Sequence, residues 1–379
     1  MRLGVLIDFG PGGERASAST ASAVGEKGER RMSTIRCSVV PEDLQHPRED
    51  LTVSAVICAY TEERWPLLVR SVASVLRQQR QPLEVIVCVD HNDALLEQCR
   101  REWGQGSVAG AVPIVVIANR YEGRLGSARN SALEIAAGDI VAFLDDDARA
   151  EPDWLGRLLA PYGDERVVAV GGAPLPEFEG RRPRWFPFEF DWVFGCAYAG
   201  LPENRAVLAR LIGANMSAQR ETLASIGGFH SDNHDDMDMC HRLVHVYPDA
   251  LIVYEPAALV QHHVPKARTT WSYFWRRCYF VNKGKVEAFS QMEAAASLSA
   301  DIGFVGSALT RGVPRELGQV LKGDLWGAAR AAAIVVGIIL AGAGHLAGQG
   351  GMLVGRGRSR RRIRDVGESA PGAPASGGE

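Results

Sequence analysis

Ile140-Val-Ala-Phe-Leu-Asp-Asp-Asp147 is an apolar run of the strand-forming type that ends abruptly in three carboxylates. Three like charges at one place repel each other and resist removal from water, so a positive partner is expected beside them. A hard divalent cation such as Mg²⁺ or Mn²⁺, itself bound to phosphate oxygens, is the usual partner. Asp is also common in turns and at helix N-termini, so the alternative is that residues 145–147 only open a turn.

Apolar segments of strand length alternate with segments of helical spacing in the first half of the chain. The predicted strands are 52–59, 83–89, 112–118 and 140–144, and the predicted helices lie within 67–76, 94–102 and 127–137. This alternation predicts an α/β fold with a mostly parallel sheet flanked by helices. In such sheets, ligands bind beyond the carboxyl ends of the strands.

Polar residues fall at those strand ends. Tyr60, Thr61 and Glu62 follow the first predicted strand, Asp90 follows the second, and the acidic triplet 145–147 follows the fourth. Carboxylates of unrelated turns would not be expected to gather at one edge of a sheet. The pattern therefore predicts a ligand site at this edge.

The segment Glu122-Gly-Arg-Leu-Gly-Ser-Ala-Arg-Asn130 precedes and opens the third predicted helix. Its glycines permit close approach of the backbone to a ligand, and Arg129 is expected in the first helical turn. A helix N-terminus with an arginine suits a diphosphate. The alternative is that Arg129 is a surface cation and the glycines only mark a loop.

The second half of the chain has a different pattern. A strand is predicted at 167–172, a mobile loop at 174–187 and a short helix at 220–226. A second acidic cluster, Asp232-Asn-His-Asp-Asp-Met-Asp238, precedes a further helix. The helix dipole alone favours carboxylates at a helix N-terminus. A carboxylate held near a divalent-metal site is, equally, what a general base requires.

The composition limits the class of protein. A chain of 379 residues with 46% hydrophobic residues can bury a sizeable core, and its net charge of −3 argues against a general nucleic-acid binder. The seven cysteines form no C-x-x-C pair, which favours a reducing cytoplasm over a disulfide framework. Residues 1–48, rich in Ser, Ala and Gly, are predicted to be disordered.

The C-terminal region contains a run without Asp, Glu, Lys or Arg at 331–354, which is long enough to cross a bilayer. Six arginines follow between Arg356 and Arg364, a pattern typical of the cytoplasmic side. Three alternatives stay open: a surface-lying or re-entrant hairpin, a membrane-spanning helix and a helix packed in a soluble protein. Gly342, Gly344 and Gly350 argue against a stable spanning helix.

Five elements, in this order, resemble the inverting glycosyltransferases of family 2, which have the nucleotide-diphospho-sugar transferase (GT-A) fold. They are Ala59-Tyr-Thr-Glu62, Val89-Asp90, Ser127-Ala-Arg-Asn130, Phe143-Leu-Asp-Asp-Asp147 with Pro152, and Asp235-Asp-Met-Asp238 preceded by Gly227-Gly-Phe229. The resemblance extends from Leu51 to Ala288. It is strongest to membrane-associated members that extend lipid-linked sugars, including glucuronosyltransferases that act on dolichyl-phosphate-linked glucose.

The resemblance implies a role for each matching residue. The donor nucleotide would be bound by Ala59, Tyr60, Glu62, Asp90, Arg129, Asp145 and Asp146. Glu62 and Asp90 would hold the base, typically uridine, and Arg129 would lie near the pyrophosphate. Asp147 would bind the divalent metal, Mg²⁺ or Mn²⁺, with His263 as a weaker candidate ligand.

The acceptor side is assigned in the same way. Asp236 would be the base that deprotonates the acceptor hydroxyl, although Asp235 stands where the family more often has Glu. Asp235, Asn215 and Asp238 would lie around that base. Arg276 or Arg277 would cover the leaving diphosphate or contact a phosphate of a lipid acceptor. The alternative for that segment is that its aromatic residues only pack against the core.

These observations predict a metal-dependent inverting glycosyltransferase on the cytoplasmic face of the membrane. It would move a sugar from a nucleotide-diphosphate donor, a UDP-sugar, to a lipid-linked or polysaccharide acceptor. The alternatives are a catalytically silent membrane-associated protein that binds sugar nucleotides and a sugar-1-phosphate nucleotidyltransferase. The expected organisation is an extension at 1–48, the GT-A domain at 49–290, a helical membrane-associated segment at 291–355 and a basic tail at 356–379.

Overall fold

The apolar runs of the first half form strands, as their composition predicts. The computed structural model describes residues 50–104, 112–122, 124–230, 234–288 and 302–367, with side chains described except at 287–288 and 351–367. The predicted N-terminal extension therefore lies outside the described residues, as does 368–379 of the tail.

The chain alternates strands and helices up to residue 159. The strands are β1 (Val53–Ala59), β2 (Glu84–Val89), β3 (Ile114–Ala118), β4 (Ile140–Asp145), β5 (Ala148–Ala150), β6 (Val167–Phe178), β7 (Ala206–Val207), β8 (Asn215–Gln219) and β9 (Leu251–Val264). The α-helices are α1 (Trp65–Leu76), α2 (Asp93–Trp103), α3 (Leu125–Ile135), α4 (Trp154–Leu159), α5 (Arg220–Ser225), α6 (Asp235–Val246), α7 (Trp271–Ala288), α8 (Val313–Leu321) and α9 (Trp326–Gly367). Short 3₁₀ segments include Phe188–Phe194.

One mixed sheet contains all these strands, in the order β3-β2-β1-β4-β8-β6-β9-β5, with β7 paired to β9. The first four strands in that order are parallel, and Val56 of β1 lies between Ile86 and Phe143 in register. β8 is antiparallel to both β4 and β6, whereas β6 and β9 are parallel. The predicted α/β class is confirmed, and the carboxyl ends of β1, β2 and β4 meet at one edge.

Helices cover both faces of the parallel half, which explains why its strands are apolar throughout. Successive side chains of β1 enter different cores: Ile57 packs in the cluster with Val72 of α1. Val56 packs in the cluster with Ala128 of α3 and Met239 of α6. This double burial holds the strand ends in place beneath the polar residues that follow them.

The segment predicted as a mobile loop at 174–187 is ordered, so that prediction is wrong. β6 continues to Phe178, and the aromatic residues after it are buried in a third core. Phe186 stacks on Phe194 with ring centroids 4.4 Å apart and meets Phe274 of α7 edge to face. The Pro and Arg content of this segment is typical of a loop. Its aromatic residues nevertheless pack in a core that attaches α7 and α9 to the sheet.

The C-terminal apolar run is part of one continuous helix, α9, so the re-entrant hairpin is wrong. Its segment Trp326–Gly350 is long and apolar enough to cross a membrane. The glycines expected to weaken it allow close packing against α7. A Cβ at Gly344 would lie 2.1 Å from the carbonyl oxygen of Tyr279, and one at Gly348 would lie 2.8 Å from that of Lys283.

Candidate active site

The acidic triplet lies at the carboxyl end of β4, between β4 and β5. The Nε2 atom of His262 lies 3.3 Å from Oδ1 of Asp147 and 3.8 Å from Oδ2 of Asp145. One ligand atom from each of the three residues lies within 4.8 Å of the others. Two carboxylates and an imidazole form a donor set that fits a divalent cation such as Mn²⁺. The three residues are called the metal cluster below.

The histidine of this cluster is His262, and the prediction of His263 is corrected. Successive side chains of a strand point to opposite faces, so only one of two adjacent histidines in β9 can face the carboxylates. His262 pairs in register with Ala148 of β5 and is buried. His263 contributes its backbone N–H, which donates to the carbonyl oxygen of Asp147 at 2.9 Å.

Arg64, which was not among the predicted site residues, neutralises part of the negative charge of the triplet. Its Nη1 atom lies 3.0 Å from Oδ1 of Asp146 and 3.1 Å from Oδ2 of Asp147. The other oxygen of Asp146, Oδ2, is buried and has no hydrogen-bond partner among the described residues. Arg64 lies two residues after Glu62, at the end of the short 3₁₀ segment Glu62–Arg64 that follows β1, and that position was the available signal.

Two of the three carboxyl groups have pKa values shifted in opposite directions. Burial, together with repulsion from Asp147, raises the pKa of Asp146 to about 7. Burial also disfavours the charged form of Asp147, but hydrogen bonding and attraction from His262 and the charge of Arg64 outweigh it and hold its pKa at about 2. Asp147 is therefore the constantly ionised member, which is the state that a metal ligand requires.

The other face of His262 contacts a cysteine. The Sγ atom of Cys196 lies 3.6 Å from Nδ1 of His262, and both residues are buried. Cys196 belongs to the third core, as its apolar sequence context indicates. Its contact with His262 could not be predicted from the sequence, because the two residues are distant along the chain.

The residues predicted at the donor base lie together at the ends of β1 and β2. Asn92 Nδ2 donates to Glu62 at 2.8 Å, and Asn119 Nδ2 donates to Asp90 at 2.7 Å. The carbonyl oxygen of Ala59 accepts from the backbone N–H of Asp90 at 2.8 Å. The Tyr60 side chain is exposed, and the guanidinium of Arg64 lies 5.3 Å from its ring centroid.

Arg129 lies just after the first turn of α3 and is not a surface cation, so that alternative is wrong, whereas its place near the diphosphate stays a prediction. Its guanidinium is buried, with Nη1 2.6 Å from Oδ2 of Asp235. Nη2 donates to the carbonyl oxygen of Gly213 at 2.8 Å and lies 3.4 Å from Oδ1 of Asp145. Arg129 thus links the two acidic clusters from below.

The second acidic cluster begins α6, as predicted. Asp235 is buried against Arg129, whereas Asp236 is half-buried and faces a cavity. The backbone N–H groups of Gly213 and Met237 donate to Asp236 at 3.0 and 2.8 Å. Burial and the negative charge of Asp235 raise the pKa of Asp236 to about 6. A carboxylate with this pKa is suited to accept a proton near neutral pH.

Two residues predicted beside that base have structural roles instead. The Asn215 side chain is fully buried, accepting from Trp154 Nε1 at 2.7 Å and donating to the carbonyl oxygen of Ala258 at 2.8 Å. Asp238 pairs with Arg242 at 2.8 Å within α6. Neither side chain lines the cavity, so neither would contact the acceptor directly, and a supporting role behind the base stays a prediction.

A cavity of about 1610 Å³ connects these groups with the C-terminal helices. Asp145, Asp235, Asp236 and His262 lie on its wall together with Arg268. Part of its remaining wall comes from α7 and α9, and its contributors there include Arg277, Phe280, Lys285, Ile338, Ala341, His345 and Leu346. Arg276, which was predicted together with Arg277, does not line it.

Comparison with known proteins decides the family. Residues 54–227 match the sequence profile of glycosyl transferase family 2. A glucosyl-dolichyl phosphate glucuronosyltransferase of Haloferax volcanii is 30% identical over 245 residues, which are 62% of this chain and 76% of that protein. The chain belongs to glycosyltransferase family 2. The resemblance inferred from the motifs is confirmed, and the protein is a glycosyltransferase of the GT-A class with a site for a divalent metal.

Two further proteins are similar to this glycosyltransferase at lower identity. The succinoglycan biosynthesis protein ExoM of Rhizobium meliloti is 27% identical over 237 residues, which are 61% of this chain and 73% of that protein. Among solved structures, the mannosyltransferase PcManGT from Pyrobaculum calidifontis in complex with GDP-Man and Mn²⁺ is similar at 19% identity. It aligns with 81% of this chain and 90% of its own, with a TM-score of 0.49.

Proposed function

We propose that this glycosyltransferase moves a sugar from a nucleotide-diphosphate donor to a hydroxyl of a lipid-linked acceptor, with inversion at the anomeric carbon. One observation carries the proposal. Asp236, a carboxylate with a raised pKa, lies on the same cavity wall as Asp145 and His262 of the metal cluster. A general base and a diphosphate-binding metal centre facing one space are the two components that this displacement requires.

The donor would lie along the edge of the sheet. Glu62 and Asp90, held by Asn92 and Asn119, would accept hydrogen bonds from the base, and the family resemblance favours uridine as that base. A divalent ion bound by the metal cluster would neutralise the negative charge of the diphosphate leaving group. The imidazole of His262 favours Mn²⁺ over Mg²⁺, because Mg²⁺ prefers oxygen ligands throughout.

The displacement itself needs one base and no enzymatic nucleophile. The acceptor oxygen forms a bond to the anomeric carbon from the face opposite the diphosphate, and the proton of its hydroxyl passes to Asp236. The bond from the anomeric carbon to the diphosphate oxygen breaks, and the nucleoside diphosphate leaves with that electron pair. Arg129 pairs with Asp235, and the backbone N–H groups of Gly213 and Met237 orient Asp236.

A lipid-linked acceptor is favoured by two features. The relative from Haloferax volcanii is, by its name, a transferase acting on glucosyl-dolichyl phosphate. The α9 segment Trp326–Gly350, apolar enough to cross a membrane, borders the cavity through Ile338, Ala341 and Leu346. We infer that α9 holds the protein at the membrane with the enzyme on the cytoplasmic side, and the arginines after residue 355 support this orientation.

Donor binding tests the proposal directly. Purified protein is screened by thermal shift against a panel of nucleotide sugars, with Mn²⁺ and with chelator. Stabilisation by a UDP-sugar that requires Mn²⁺ is expected, since a ligand bound only to the folded state raises its stability. Absence of a response to every nucleotide would contradict the donor site. Donor binding without turnover on any lipid-linked or polysaccharide acceptor would instead support the catalytically silent binding protein.

A further inference from the structure

One face of α7 forms a wall of the catalytic cavity. Tyr273, Arg277, Val281 and Gly284 line it and follow the spacing of successive helical turns. Arg276, adjacent in sequence, is exposed but lies off this face. The helix therefore directs one of its two adjacent arginines into the cavity.

Three cations converge on this wall next to the base. Arg277 and Lys285 of α7 and Arg210, from the loop before β8, all line the cavity. They surround His234, the residue that immediately precedes Asp235 and Asp236. A Cβ at Gly284 would lie 3.4 Å from Nε2 of His234, which shows how closely α7 approaches the start of α6.

The charge state of His234 reflects these neighbours. The pKa of His234 is lowered to about 4, and burial is the largest cause. The positive charges of Lys285 and Arg277 lower it further, and Arg210 makes a smaller contribution. The imidazole is therefore neutral at physiological pH, and the surrounding side chains carry the positive charge. His234 has a left-handed backbone, with φ of 66°, at the N-terminus of α6.

Two carboxylates of the cavity are paired with groups other than these three cations. Asp235 and Asp145 contact Arg129, and Asp145 also faces His262. The α7 end, by contrast, combines the three cations with apolar side chains from both C-terminal helices. These apolar side chains include Phe280 of α7 and Ile338, Ala341 and Leu346 of α9. An anion with an attached apolar chain matches this combination.

We propose that Arg210, Arg277 and Lys285 bind a phosphate of the acceptor, that its apolar chain lies against α7 and α9, and that the sugar hydroxyl is thereby presented to Asp236. This inference rests on the proposed function, and it specifies the acceptor as a phosphate ester of an apolar alcohol. A charged phosphate pairs with guanidinium and ammonium groups through charge-assisted hydrogen bonds. The neutral His234 separates these cations from the base without adding a further charge.

Binding of a short isoprenyl phosphate to the full chain in detergent micelles tests the inference. Farnesyl phosphate, farnesol and inorganic phosphate are titrated calorimetrically into the wild-type protein and into Arg277→Gln, Lys285→Gln and the control Arg276→Gln. Farnesyl phosphate is expected to bind the wild type about tenfold or more tightly than farnesol. Each variant of the cavity wall should lose most of that preference, and the control should keep it.

Three outcomes would overturn the inference. Equal affinity for farnesyl phosphate and farnesol would show that the three cations do not contribute to binding. Equal affinity for inorganic phosphate and farnesyl phosphate would show a site for a free anion, without a contribution from the apolar chain. A loss of UDP binding with Mn²⁺ in Arg277→Gln, with farnesyl phosphate binding unchanged, would assign the cations to the donor diphosphate. Failure of the wild type to bind UDP with Mn²⁺ would contradict the proposed function separately.

Discussion

The guanidinium of Arg129 joins the two acidic clusters of the site, lying 2.6 Å from Asp235 and 3.4 Å from Asp145. It is buried at the wall of the cavity, and both of its terminal nitrogens contact oxygens of the protein. Its position relates the end of β4 to the start of α6, two elements that are far apart in sequence. Arg129 is thus a positioning residue, and the distance between the metal cluster and Asp236 depends on it.

Replacing Arg129 with methionine should destabilise the fold. The change leaves the buried carboxylate of Asp235 without its cation, a loss that costs about 3–5 kcal/mol in comparable buried pairs. Urea denaturation measures the free energy of unfolding. The double variant Arg129→Met with Asp235→Asn should regain much of that stability, because no uncompensated charge remains. An unfolding free energy of Arg129→Met equal to that of the wild type would contradict this function of the pair.

Replacing Asp236 with asparagine should abolish sugar transfer and leave donor binding nearly intact. The amide cannot accept the proton of the acceptor hydroxyl, so kcat should fall by a factor of about 10²–10⁴. UDP binding in the presence of Mn²⁺ is measured alongside turnover. Asp238→Asn is the matched control: it weakens the pair with Arg242 and should lower stability while retaining kcat. Near-normal turnover by Asp236→Asn would exclude Asp236 as the base.

The pH dependence of transfer should reflect the same carboxyl group. Burial and the charge of Asp235 raise the pKa of Asp236 to about 6, and only the ionised form can accept a proton. The rate should therefore fall as the pH drops below about 6 and level off above it. Asp235→Asn removes the repulsion between the two carboxylates and should move this acidic limb of the pH–rate profile to lower pH. A limb that is unchanged in Asp235→Asn would show that another group controls it.

The parallel half of the sheet could be predicted from the sequence because its strands are buried on both faces. β1, β2 and β4 are continuous apolar runs, and the polar residues after them mark the carboxyl edge. The strand β6 could not be predicted in full, since its buried end lies in a segment with the Pro and Arg content of a loop. The continuity of α9 was missed for a related reason. The penalty of its glycines is visible in the sequence, whereas their contact with α7 is not.

The candidate site was predicted to a similar extent. The sequence places Asp145, Asp147 and Asp236 near ligand-binding ends of secondary-structure elements, and the structure brings them to one region. The choice between His262 and His263 depended on which face of β9 meets β5, and a shift of one residue reverses that choice. The hydrogen bonds of Asn215 could not be predicted, because its partners are distant along the chain. The roles of these residues in catalysis stay predictions.

Replacing Cys196 should weaken metal binding without a change in the metal cluster itself. A histidine that ligates a metal through Nε2 carries its proton on Nδ1, and here Nδ1 faces the Sγ atom of Cys196 at 3.6 Å. Partners of this kind fix the orientation of the ring, and their loss typically lowers metal affinity by about 10-fold to 100-fold. Mn²⁺ affinity, measured by electron paramagnetic resonance of the free ion, should fall in Cys196→Ala. Cys196→Ser should retain most of it, since a hydroxyl can accept from Nδ1–H. Equal affinities in the wild type and in Cys196→Ala would reduce Cys196 to a packing residue, whereas recovery in Cys196→Ser cannot be explained by packing alone.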